Sequence, residues 1–237
     1  MKNNKKVIVG ISGGVDSSVS ALLLKEAGFQ VKGIFMKNWT NTAPNIECTS
    51  EADFKDAEKV CDQLDIPLHQ ANFSGEYWEK VFEQFLNEHK HGRTPNPDIL
   101  CNREIKFKEF YNYAMSNDYD FIATGHYAIT DNHSLYKGID NSKDQSYFLH
   151  AIDKEVLQKT IFPLGELKKE SVRQIAKENR LITSNKKDST GICFIGERPF
   201  PEFVGNYLSG QQGNIINEND DVIGIHQGLV FYTLGQR

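Results

Sequence analysis

The residues best suited to chemistry fall in three short stretches. The first is Ser12-Gly13-Gly14-Val15-Asp16-Ser17, between an apolar run at 7–11 and a helical pattern reaching about residue 27. Glycines let a backbone approach a ligand closely, and the free N–H groups and positive dipole of a helix start favour phosphate. Ser12, Ser17 and Ser18 add hydroxyls. No Lys follows the second glycine, as a Walker loop would need, and G-x-G-x-x-G is not matched. On glycine content alone, an ordinary strand–turn–helix junction remains an alternative. The second stretch, Asn96-Pro97-Asp98-Ile99-Leu100-Cys101-Asn102, sets Cys101 near a helix start, where the dipole lowers a thiol pKa. Asp98 could act as an acid/base there, or cap the helix beside Pro97. The third puts Cys193 in a polar, glycine-flanked loop from Asp188 to Glu197. A lone cysteine is more often buried and inert; spacing alone does not lift Cys101 or Cys193 above that. Cys61 sits on an apolar helical stripe and reads as inert, while Cys48 lies in a polar loop and is undecided. No C-x-x-C occurs and the histidines form no ligand-spaced cluster, so no residue is assigned to a metal.

The elements that must position these residues alternate. Strands are expected at 7–11, 31–36, 68–73 and 121–123. Helices are expected from Asp16-Ser17-Ser18 as a cap to about 27, at 50–64 with Ser50 as cap, at 78–90 and at 101–115. Residues 37–48 and 92–98 read as loops. This alternation predicts parallel βαβ units and an α/β domain, whose ligands bind outside the carboxyl ends of the strands. The glycine loop and Gly125-His126 both fall there. Beyond residue 140 the pattern loosens, with a helix at 168–179. From about 201 a short helix precedes segments at 213–216, 222–225 and 229–232, in the grammar of β-hairpins. The expectation is a parallel-sheet domain over 1–200 and, over 201–237, the start of a small, partly β domain.

The chain has 237 residues, 39% hydrophobic and 25% charged, which excludes a disordered chain, a collagen-like repeat and a disulfide-stapled miniprotein. No apolar run is long enough to span a bilayer. The basic N-terminus precedes only five apolar residues, a strand rather than a signal peptide. The cytoplasm, with reduced thiols, is therefore the expected compartment. A net charge of −5 argues at first against a nucleic-acid partner. However, residues 44–88 hold 11 acids and three lysines, which leaves +3 on the remainder. Residues 161–188 carry seven Lys/Arg against four acids, ending beside the Cys193 loop. Phosphate binding needs local positive charge rather than a basic average. The alternative is that Lys168, Lys169, Arg173, Lys177 and Arg180 form only the solvated face of one helix.

The SGGVDS stretch after an apolar strand resembles the loop of the PP-loop ATP pyrophosphatases. Further words occur in order: Phe35-Met36-Lys37-Asn38-Trp39, residues 92–98 beginning Gly92-Arg93-Thr94, Thr124-Gly125-His126-Tyr127, Lys143-Asp144-Gln145-Ser146-Tyr147-Phe148, residues 191–197, and Phe231-Tyr232-Thr233-Leu234-Gly235-Gln236-Arg237. Together they resemble the bacterial tRNA-specific 2-thiouridylases within that family, from residue 7 to the last. The resemblance implies ATP-dependent sulfur transfer to C2 of the wobble uridine of tRNA, with Mg²⁺ screening the triphosphate. It implies ATP on Gly10, Ile11, Ser12, Gly13, Gly14, Val15, Asp16 and Ser17, with Met36 and Gly125 near the adenosine. Cys193 would carry a persulfide received from a cysteine desulfurase or sulfur-relay protein, and Cys101 would be its partner nucleophile. Asn96, Pro97 and Asp98 would contact the target base, and His126, Lys143, Asp144 and Gln145 the tRNA. Persulfide attack on the base and prior release of hydrosulfide both fit. Members of this family continue past the Gly235-Gln236-Arg237 word into a β-barrel domain, so a truncated chain is expected. The alternatives are another PP-loop enzyme with a small-molecule acceptor, which needs neither cysteine, and an inactive ATP- or tRNA-binding fragment.

Overall fold

β1 (Lys6–Gly10) is apolar on both faces, and Val7, Ile8 and Val9 are all fully buried. Such a strand must lie inside a sheet covered on both sides, as in parallel α/β folds. The computed structural model, which describes residues 4–40, 49–131, 133–188 and 199–233, has this arrangement. Five parallel strands run in the order β3-β2-β1-β4-β7, with β2 at Gln30–Lys37, β3 at Leu68–Asn72, β4 at Phe121–Ala123 and β7 at Thr160–Ile161. Val7 pairs with Val31 on one side and with Phe121 on the other.

The alternation of side chains along each strand divides the core. Ile8, Ile34, Ala71 and Ile122 pack with Val81, Phe82, Phe85, Ile105 and Phe110 on the helical runs 74–90 and 97–116. Val7, Val9, Val31, Phe35 and Ala123 face the opposite layer: α1 (Val15–Glu26), α2 (Thr49–Gln63) and the helix Lys169–Glu178. The strand order turns back between β1 and β4, which opens a crevice at their carboxyl ends.

The expected parallel-sheet α/β fold is thus present, with several local differences. Helix α1 begins at Val15, so Asp16, Ser17 and Ser18 lie inside it and do not cap it. Ser17 and Ser18 instead donate to the Gly14 carbonyl, at 3.0 and 2.8 Å. The run expected from 101 begins at Pro97, because the Asn96 side chain accepts the N–H groups of Asp98 and Ile99. Asn96 is therefore the cap, and Asp98 is not. Both long helical runs contain π-turns, at Trp78–Phe82 and Cys101–Glu109. β7 and the antiparallel pair β5 (Ala128–Asp131) and β6 (Ser134–Lys137) escape a sequence reading because each is short and, unlike the equally short β4, mixes polar with apolar residues.

In the last segment, β8 (Gly213–Ile216) and β9 (Val222–His226) form the expected hairpin. Residues 229–232 do not add a third strand. Gly228 takes φ +138°, and Phe231 N–H then bonds back to Gly228 O, closing a 3₁₀ turn at Leu229–Phe231.

Candidate functional site

Three strand ends and one helix start meet at the crevice. Gly13 has φ +74°, and a Cβ there would stand 2.3 Å from the Asp53 carbonyl oxygen, so this position admits only glycine. Ser12 N–H donates to Ser17 Oγ at 3.1 Å, which folds the loop back over the first turn of α1. Gly10, at the end of β1, lies under Met36 from β2; a Cβ on Gly10 would be 3.1 Å from the Met36 methyl. Gly125, just after β4, packs on the start of α1, where a Cβ would meet Ser17 N at 2.9 Å and Asp16 C at 3.0 Å. The structure therefore brings together the whole Gly10–Ser17 stretch, Met36 and Gly125. Ser12 is exposed and Gly14 half-buried, so the loop faces solvent with first-turn N–H groups behind it.

The second group stands on the helical run 97–116. Cys101 is 3% exposed and packs in the core with Leu100, Ile105 and Phe110. Pro97 is buried, and Asp98 is half-buried. Burial pushes the Asp98 carboxyl up from its ordinary value, while Lys106 acts the other way. A carboxyl raised in this way holds its proton more readily than an exposed one. Next to Cys101, Asn102 is buried and donates to the Phe148 carbonyl at 3.3 Å. Phe110 ties this run to the first group, since its ring lies 3.8 Å from the Cβ position of Gly10. Cys193 and Cys48 fall outside the described residues. Cys61 is buried, and burial with nearby Asp62 pushes its thiol up to about 12, the inert condition expected of it.

The other expected tRNA-contacting residues have partners within the chain. His126 is 8% exposed, between the Phe107 and Phe162 rings, with Nδ1 2.7 Å from Thr124 Oγ1. Burial, reinforced by Lys106, holds its pKa well below the ordinary value, so the ring is neutral. Asp144 accepts from Gly138 N–H, Ser146 N–H and Ser146 Oγ, which shapes the turn. Gln145 exchanges bonds with Tyr127: its Oε1 accepts Tyr127 N–H, and its N–H donates to Tyr127 O. Lys143 Nζ reaches Asp188 at 2.9 Å.

A set of charges below the loop was not read from the sequence. Lys169 Nζ lies 2.7 and 2.8 Å from the two carboxylate oxygens of Asp16, and 2.8 Å from Asp188 Oδ1. Arg173 also bonds Asp188, at 2.7 Å. Tyr127 Oη donates to Asp16 Oδ1 at 2.8 Å. Although burial alone would raise the Asp188 carboxyl, the bonds from Lys169 and Lys143 outweigh it and bring its pKa to about 2. Lys169 and Arg173 are thus not part of a solvated helix face, whereas Lys168, Lys177 and Arg180 are exposed. The missed signal was spacing: Lys169 lies three and seven residues before the core positions Val172 and Ala176, on the same stripe.

A family profile described as "tRNA methyl transferase HUP domain" matches residues 5–197, and one described as "tRNA methyl transferase PRC-barrel domain" matches 201–237. The tRNA-specific 2-thiouridylase MnmA of Francisella tularensis subsp. holarctica is 58% identical over 99% of this chain and 67% of its own length. The protein of that name from Psychrobacter cryohalolentis is also 58% identical, over 99% of this chain and 60% of its own. Among solved structures, NMN synthetase from Francisella tularensis aligns over 79% of this chain and 67% of its own, at 19% identity and a TM-score of 0.49.

Proposed function

Because the chain belongs to the tRNA-specific 2-thiouridylase family, we propose that it takes part in ATP-dependent 2-thiolation of the wobble uridine of tRNA. ATP is a substrate here. The loop fits a polyphosphate: glycine at 13 and 125 lets the loop and β4 pack directly on neighbouring backbone, which fixes the start of α1, and that start supplies N–H groups and positive dipole. Met36 and Gly125 flank the expected adenosine position. Mg²⁺ fits as an ion carried on the triphosphate with water. The carboxylate in the loop, Asp16, is held by Lys169 and Tyr127, and among the described residues no cluster of three His, Cys, Asp or Glu could cage a metal.

The residue types match the chemistry. The C2 oxygen of uracil is a poor leaving group; joined to the α-phosphate of ATP it departs as AMP, and pyrophosphate is released in the activation. The terminal sulfur of a Cys193 persulfide forms the bond to C2 as the C–O bond breaks. The Cys101 thiolate then attacks Cys193 Sγ, which leaves sulfur on C2 and a Cys101–Cys193 disulfide for an external thiol to reduce. In the second route Cys101 first frees hydrosulfide, which attacks C2. Asp98, one helical turn before Cys101, is the proton-transfer group, and Asn96 and Pro97 stand beside it at the base. Sulfur would reach Cys193 from a cysteine desulfurase or relay protein, and tRNA would bring His126 and the 143–145 turn into use. No helix among the described residues is long and apolar enough to cross a membrane, and the reading places the reaction in the cytoplasm.

The observation that carries this reading is the anchoring of the Cys101 helix, through Phe110, against the strand end that leads into the nucleotide loop. The test is incubation with ATP, a sulfur donor and tRNA, then separation on a mercury-containing gel. Retarded, thiolated tRNA is expected with ATP and not without it. Thiolation that needs no ATP would overturn the reading.

A further inference from the structure

The nucleotide loop and the 143–145 turn are joined by a closed ring of polar contacts. On one side, Asp16 bonds Tyr127 Oη, and the Tyr127 backbone exchanges two bonds with Gln145. On the other, Asp16 bonds Lys169, Lys169 bonds Asp188, and Asp188 bonds Lys143. The same turn is also fixed on the start of the Lys169–Glu178 helix, where Lys169 N–H donates to Asp140 Oδ2 at 2.9 Å. Lys169, 9% exposed, is the shared member of the ring. Its ammonium is divided between two carboxylates, one in the loop and one facing the turn.

We propose that Asp188 is a positioning residue that couples occupancy of the nucleotide loop to the order of the 143–145 turn, so that a polyphosphate in the loop and tRNA against the turn bind cooperatively. This rests on the reading above, in which the loop takes ATP and the turn meets tRNA. Three cations, Lys169, Arg173 and Lys143, crowd one carboxylate at 2.7–2.9 Å and repel one another. A polyphosphate arriving at the start of α1 attracts the Lys169 ammonium away from Asp188. Asp188 is then left to Lys143 and Arg173 with less repulsion between cations, and the Lys143 bond tightens. A turn already ordered costs tRNA less entropy to bind. The coupling is reciprocal, as linkage requires.

The probe is the full chain with α,β-methylene ATP, which resists cleavage between the α and β phosphates. Hydrogen–deuterium exchange is followed in the peptide 138–146, without tRNA. Nucleotide is expected to slow its exchange in the wild type, and to leave it unchanged in Asp188→Asn; Asp188→Glu should recover part of the response. In filter binding, nucleotide should tighten wild-type affinity for a wobble-uridine tRNA by about fivefold, at the low end of allosteric couplings, and by less than about twofold in Asp188→Asn. Should Asp188→Asn fail to fold, Lys143→Met cuts the same link from the other end, and its exchange response should also be lost. A response that survives Asp188→Asn or Lys143→Met overturns the proposal, as does a wild type that binds nucleotide with no change in 138–146. A wild type that binds no nucleotide at all would sink the reading of the loop instead.

Discussion

Replacing Gly125 by Ala probes the link between β4 and the loop with a single methyl group. The backbone at Gly125 is not in the left-handed region, so alanine meets no torsional penalty there. The new Cβ would lie 2.9 Å from Ser17 N, 3.0 Å from Asp16 C and 3.2 Å from Asp16 Cβ. Two of those atoms are backbone and cannot rotate away, so the start of α1 must move by a few tenths of an ångström or more. Overpacking of this kind costs about 1–3 kcal/mol, and the smaller unfolded-state entropy of alanine returns about 0.4–1 kcal/mol. The net loss, about 1–2 kcal/mol near the middle of these ranges, predicts a Tm lower by about 2–8 °C for a chain of this size. The displaced N–H groups include those a phosphate would use. A bond to a charged group is worth about 1.5–3 kcal/mol, so nucleotide binding should weaken about tenfold or more. Thermal unfolding and titration with α,β-methylene ATP measure the two effects. Gly75→Ala is the control: nothing lies within 4 Å of its Cβ position, and alanine favours the helix there, so its Tm should hold or rise. Gly125→Ala with wild-type Tm and wild-type nucleotide affinity would refute the argument that this contact shapes the loop.

Asn96→Ala removes the side chain that accepts two N–H groups at the start of the Cys101 helix, and should cost about 1 kcal/mol in a denaturant titration. His126 and His89 are both held neutral by burial, with folded pKa values below the ordinary 6.5. The unfolded chain therefore takes up protons that the folded chain refuses. Their contribution is complete above pH 6.5 and is lost as pH falls below it, by at most about 1.4 kcal/mol per pH unit for each ring. A melting temperature that stays flat from pH 7 to 5 would contradict this. For Asp188 the window lies lower: with a folded pKa of about 2 against 3.8, its stabilisation is complete above pH 3.8 and is lost as pH falls towards 2. Asp188→Asn should flatten that part of the acid-unfolding curve. Cys101→Ser should abolish the mercury-retarded tRNA band, and thiolation at the wild-type rate would remove Cys101 from the chemistry.

The central strands were legible because parallel strands buried on both faces must be apolar throughout, as Val7, Ile8 and Val9 are. Of the candidate site residues, those that depend on local chain shape were readable: the glycines at 13 and 125 sit where backbone meets backbone. The contacts that join the site were not. Lys169 and Asp16 are 153 positions apart, and Lys143 and Asp188 are 45 apart. No local pattern encodes which of several lysines turns inward, except the apolar stripe that Lys169 shares with Val172 and Ala176. Short elements were missed for a related reason. β7 pairs with β4 through only two residues, and its place is set by the sheet it joins rather than by its own composition.

The π-turn at Cys101–Glu109 has a consequence for how this protein tolerates change in length. Phe110 N–H bonds to Ile105 O, five residues back, so the helix holds more residues than an α-helix would over the same rise. One residue removed between 102 and 108 would let the coil relax into regular α geometry and could cost little stability. The remaining residues, each turning about 100° in place of the smaller angle of a π-turn, would sweep nearly the same total angle, so Asp98 and Cys101 would keep their bearing relative to Phe110 and Ala114, which seat the helix on the sheet. A deletion in the regular α segment Phe110–Ser116 has no wide turn to draw on and would swing the thiol off its bearing, so the two halves of one helix differ in how they bear a change of length.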